Sequence, residues 1–201
     1  MSFATILPLA IVMVAGPQLL SAVFLATSER WRRNSFAYVL GAALSISAIV
    51  AIAYYLGGTG ARETNSRPLL PYVVVALLLA AMVHTYLTRE ESEPPKWMGT
   101  LTSASPWFSF RLGFLLLGFF PTDILTAVAV GTTLASEDLP LLDAWGFVAL
   151  TLLFIALPGL AVLALGERAE RALPTIRDWM NDNAWVINEV VLAFFVVLTL
   201  T

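Results

Sequence analysis

Apolar residues in this chain gather into six blocks, at about residues 3–27, 34–57, 69–88, 107–135, 141–165 and 184–200. A helix of about 20 residues crosses roughly 30 Å of hydrocarbon. Inside hydrocarbon the backbone must satisfy its own polar groups, and an α-helix does so within one segment. The expected fold is therefore an all-α integral membrane protein of six transmembrane helices, forming one transmembrane domain over 1–201. Composition agrees, since 59% of residues are hydrophobic and 12% charged, against roughly 25% charged in a soluble domain. The first block has no basic stretch ahead of it, and Arg30, Arg32 and Arg33 follow it. It is expected to be a retained helix rather than a cleaved leader.

The connections are short and carry Gly57, Gly58 and Gly60, then Pro94 and Pro95, then Pro140, then Pro174, as chain outside hydrocarbon does. Arginine and lysine concentrate in alternate loops. Loop one holds Arg30, Arg32 and Arg33, loop three Arg89 and Lys96, and loop five Arg168, Arg171 and Arg177; loop four holds Glu137, Asp138 and Asp143 without a positive charge. Positive loops stay cytoplasmic, so both termini are expected outside, with the protein in the plasma membrane. Within loop five, Leu173, Ile176, Trp179 and Met180 recur at helical spacing, and Thr175 and Asp178 are spaced like a capping box. That pattern reads as an interfacial helix or a helical connector.

Gly16-Pro17-Gln18-Leu19-Leu20-Ser21 in the first span aligns, with one extra residue, to Phe120-Pro121-Thr122-Asp123-Ile124-Leu125-Thr126 in the fourth. Proline removes a backbone donor and frees a carbonyl four residues back, here those of Met13 and Leu117. The two motifs are three spans apart in order, an odd offset, so their halves would insert in opposite directions. The expectation is a 3+3 inverted repeat, about 3–88 and 107–201, with helices 1 and 4 broken near the midplane, where such folds build a substrate site. Proline kinks that bind nothing are also common in membrane helices.

Four ionisable residues fall inside the spans: His84, Arg111, Asp123 and Glu189. Charge in hydrocarbon is costly, so each is expected to face protein or water. Arg111 and Glu189, at similar depth, are expected to form an ion pair, although a helix-end arginine can also snorkel to headgroups. His84 reads as a helix-end polar neighbour. The chain lacks cysteine, and no second histidine accompanies His84, so neither a metal site nor a cofactor is expected. Asp123 lies two residues after the break, flanked by Thr122 and Thr126 on one face, as Gln18 and Ser21 follow Pro17. With Pro121, these residues form the candidate substrate or ion site, and Asp123 is expected to exchange a proton or cation.

The chain resembles the Sap/GAP family, the sulfolipid- and glycopeptidolipid-addressing proteins, within the lysine exporter (LysE) superfamily. The resemblance spans nearly the whole chain. It rests on Leu7-Pro8-Leu9-Ala10 with Gly16-Pro17, Arg32-Arg33-Asn34 with Gly41, Pro94-Pro95-Lys96-Trp97-Met98, and Arg177-Asp178-Trp179-Met180 with Asn183. It implies an inverted-repeat membrane protein that exports small molecules or envelope lipids. Where such proteins tend to carry Asn-Pro-Lys-Asn, this chain reads Phe120-Pro121-Thr122-Asp123, so a preference for an anionic substrate does not carry over.

A transporter or exporter is thus the first functional expectation, and a non-transporting accessory protein of a lipid-export complex the second. An ion channel comes third. An enzyme is not expected, since neither His84 nor Glu189 has a catalytic partner at recognisable spacing. Membrane lipids and a small-molecule or lipid substrate are the expected partners. Nucleic acid is not, because the net charge of -3 is mixed among short loops. Gly41 and Ser45 make a small-xxx-small step suited to close contact within the monomer or across a homodimer.

Overall fold

The computed structural model describes residues 3–60, 101 and 103–183, with isolated helical positions at 79, 80, 82–84, 86, 87, 185, 186, 189, 193 and 196. The third and sixth expected spans lie outside the described residues apart from those positions, as do Pro94, Pro95 and Lys96. Seven helices are described. They are α1 (Phe3–Val14), α2 (Pro17–Ala26), α3 (Trp31–Gly60), α4 (Pro106–Phe119), α5 (Pro121–Ser136), α6 (Trp145–Leu165) and α7 (Glu167–Asp182). A 3-10 turn, Leu141–Ala144, leads into α6, and no strand occurs among the described residues.

Two segments are long and apolar enough to cross a membrane unaided, Trp31–Leu56 and Leu141–Leu165. Two more are bent pairs, Leu7–Val14 with Pro17–Ala26 and Pro106–Phe119 with Pro121–Ser136. The described part thus offers two spans, or four if each bent pair is one crossing.

Burial along α3 shows which solvent this surface is built for. Its inward face carries Tyr38, Ala42, Ser45, Ile46, Val50 and Ala53, while Phe36, Leu40, Leu44, Ile52 and Leu56 stand exposed. Large apolar residues outside and small or polar ones inside invert the soluble pattern, and suit a bundle bathed in lipid. The small inner residues allow backbones to touch. A Cβ on Gly41 would collide with the Phe110 carbonyl of α4, one on Gly113 with the Tyr38 carbonyl, and one on Gly118 with the Ser45 hydroxyl. Gly131 brings α5 equally near Val50. The Gly41 and Ser45 step is therefore consumed within the chain.

Helix starts follow local chemistry. Pro106 occupies the first turn of α4, where its missing N–H costs nothing, and the Ser105 hydroxyl accepts from the Phe108 N–H at 3.2 Å. Loop five is helical, as expected, but its helix starts earlier than the Thr175 spacing suggested. Helix α7 begins at Glu167 behind Gly166, whose φ of +53° suits glycine, so Pro174 and Thr175 lie inside the helix and Thr175 caps nothing. Its Ala169, Leu173 and Met180 are buried, whereas Ile176 and Trp179 are exposed. Contacts to α2 and α6 supply the hydrophobic face that overrides the proline.

Loop contacts sort by side. The Asn34 amide, after loop one, donates to Ser28 Oγ at 2.8 Å and to the Ala104 carbonyl, ahead of α4, at 3.0 Å. Arg177 of α7 lies 5.1 Å over the Phe24 ring near the end of α2. At the far end of α3, the Tyr54 hydroxyl donates to the Leu139 carbonyl after α5 at 3.0 Å.

Candidate functional site

Each bent pair turns by 68° at its break. In the first, α1 stops at Val14 and α2 restarts at Pro17, with Gly16 at φ +98° and ψ -139°, a conformation open to glycine and strained for other residues. In the second, Phe120 alone, in extended conformation, separates α4 from α5. Both prolines stand at the first position of the new helix, so each bent pair is two helices joined by a corner, the broken form expected from the sequence.

That geometry brings Gln18 and Asp123 into their helices' first turns and against one another. Gln18 Nε2 donates to Asp123 Oδ2 at 2.7 Å, across 105 residues of sequence. The Thr122 hydroxyl donates to the other carboxylate oxygen, Oδ1, at 3.3 Å. Both Gln18 and Asp123 are 0% exposed. A carboxylate in the first turn of α5 also sits at the positive end of that helix's dipole.

Around this bond the other expected residues divide. Ser21 and Thr126 are buried, and the Thr126 hydroxyl is committed to the Thr122 carbonyl at 2.8 Å. Gln18 Oε1 and Ser21 Oγ are buried with no hydrogen-bond partner. Pro121 is exposed and Pro17 half-buried, so both act through the backbone corner. Two acceptor oxygens are thus left over beside an acid, a set able to hold a proton, a cation or a substrate amine.

Arg111 and Glu189 do not make the expected pair. Arg111 is exposed, with its guanidinium 4.8 Å from the Trp107 ring centroid, one turn back on α4. Glu189 is half-buried, and its Oε1 has no hydrogen-bond partner. Among the described residues the ion pairs are Arg171 with Glu167 and Arg177 with Asp178. Depth alone placed Arg111 near Glu189; the turn of α4 aims it outward, and the neighbouring indole face takes the cation. His84 is exposed on its helix.

A family model described as Sap, sulfolipid-1-addressing protein, matches residues 6–201. The chain belongs to that family. No curated protein and no solved structure matches it.

In this Sap-family chain the structure adds one residue that the sequence reading passed over. Tyr38 of α3 is buried, and its hydroxyl donates to the Gln18 backbone carbonyl at 2.9 Å. It braces the first turn of α2 behind the Gln18 to Asp123 bond. A signal was present, because Tyr38 shares the small-residue face of α3 with Gly41, Ala42 and Ser45, where a phenol needs a partner. An apolar groove of about 390 Å³ opens at the first break, lined by Ala15, Gly16, Leu19, Phe154, Ile176 and Trp179 among others.

Proposed function

We propose that this chain is an exporter of small molecules or envelope lipids, with its site between the breaks of the first and fourth spans. It has six spans in a 3+3 inverted repeat, both termini outside the plasma membrane, and proton or cation coupling through Asp123. The observation that carries this reading is the buried hydrogen bond between Gln18 and Asp123. Two interrupted helices with equal bends meet there, and unpaired acceptors remain beside an acid. Interrupted helices are tolerable in hydrocarbon where they line a cavity. Membership of a family described as sulfolipid-addressing favours a polar lipid as cargo. The apolar groove beside Gly16 would take its tail.

The same family description supports a second reading, an accessory protein that delivers lipid to a separate export machine. Purified protein in liposomes separates the two. A fluorescent sulfated glycolipid is loaded in the inner leaflet, and its appearance in the outer leaflet is followed with and without a pH gradient. Movement above protein-free liposomes, changed by the gradient, is the expected result. No movement in either gradient direction, from protein that restores export in cells lacking it, would establish the accessory role.

A further inference from the structure

A second groove, of about 440 Å³, runs between the start of α3 and the end of α6, away from the Gln18 and Asp123 bond. Val39, Gly159 and Leu163 are among the residues along it, and Trp31, Arg32 and Ser35 line the α3 end. It faces the lipid side of the bundle, since Phe36, Leu160 and Leu163 on its walls are exposed. Its polar features are concentrated where α3 begins. The Arg32 guanidinium lies 5.2 Å from the Trp31 ring centroid, on an exposed side chain. Ser35 Oγ is enclosed and has no hydrogen-bond partner. Glycine at 159 leaves room for it, because a Cβ there would stand 3.2 Å from that oxygen. Arg30 and Arg33 flank a shallow depression beside the mouth, with Glu29 the acid among them.

An apolar channel open to lipid, with an exposed arginine at one end, matches one kind of molecule. The channel takes an acyl chain, and the polar end takes an anionic oxygen cluster. We infer that this groove binds a single anionic phospholipid, its phosphate held by Arg32 and one tail lying between α3 and α6. Zwitterionic lipid lacks the net charge that three arginines against one glutamate attract. The site is separate from the proposed transport site and stands whether or not the chain transports.

The test follows thermal unfolding of the full chain in detergent. Phosphatidylglycerol, phosphatidylcholine with the same tails, and glycerol 3-phosphate are titrated in turn, since a ligand of the folded state raises apparent stability. Phosphatidylglycerol is expected to raise Tm saturably and the other two to do so much less. Arg32→Gln should weaken the apparent affinity by roughly tenfold, as loss of a charge-assisted hydrogen bond does. Ala156→Phe, which fills the groove wall without altering charge, should weaken it similarly, while Arg168→Gln on exposed α7 should not. Equal stabilisation by the two phospholipids would overturn the proposal on the wild-type protein alone. A matching effect of glycerol 3-phosphate would reduce the site to a phosphate site and overturn it as a lipid groove. An unchanged response in both groove variants would place the lipid elsewhere.

Discussion

Asp123 is held by two side-chain donors, Gln18 Nε2 and Thr122 Oγ1, in a bundle whose outer surface is apolar. Its singularity was legible in the sequence, because an acid two residues after a proline inside an apolar block has few bland explanations. Gln18 was legible as a member of the same site, but the bond that joins it to Asp123 was not. Gln18 lies 105 residues away, and only the common turn at both breaks brings the two together. Arg111 teaches the opposite lesson, since equal depth in the membrane says nothing about which way a side chain turns around its helix. With Arg111 over Trp107 and Glu189 apart from it, the stability losses of Arg111→Met and Glu189→Gln should add in the double variant. Separate sites add to within about 0.5 kcal/mol. Thermal unfolding of the four proteins gives the answer, and a double variant markedly more stable than that sum would restore the pair.

At the scale of elements, the spans that the described residues cover were readable. The expected block at 141–165 coincides with the span Leu141–Leu165, and the block at 107–135 with α4 and α5. Proline marked both breaks but not their angle, because a corner needs the backbone of Gly16 or Phe120 as well as the missing donor. Pro174 misled, since packing of Leu173 and Met180 carries α7 through it. The tightest constraint lies between α3 and α4. A methyl group on Gly113 meets the Tyr38 carbonyl, which has no rotamer to give way. Gly113→Ala should therefore cost about 1–3 kcal/mol, the usual penalty of overpacking. Gly146→Ala, on the exposed face of α6, should be neutral or stabilising by up to about 1 kcal/mol. Unfolding in detergent compares them; equal stability of the two variants would mean that α3 and α4 are not in backbone contact.

For the whole molecule, contacts join the start of α3 to the chain before α4, the end of α2 to α7, and the far end of α3 to loop four. The proposed direction, with loops one, three and five inward, rests on the alternation of positive charge. Single cysteines at Ser2, Ser92 and Thr201 report it directly, as the native chain has none. A membrane-impermeant thiol reagent should label 2 and 201 from outside and leave 92 untouched. Labelling of 92 alone would invert the topology. One substitution tests whether two broken helices meet at a working acid. Asp123→Asn keeps the shape and an acceptor for Gln18 but cannot release a proton. In the liposome assay with the fluorescent sulfated glycolipid, the wild type should move lipid at a rate that follows pH. The Asn variant, equally folded and inserted, should lose that dependence together with most of the movement. Movement at the wild-type rate with the wild-type pH profile would show that Asp123 is a structural residue and not a working acid.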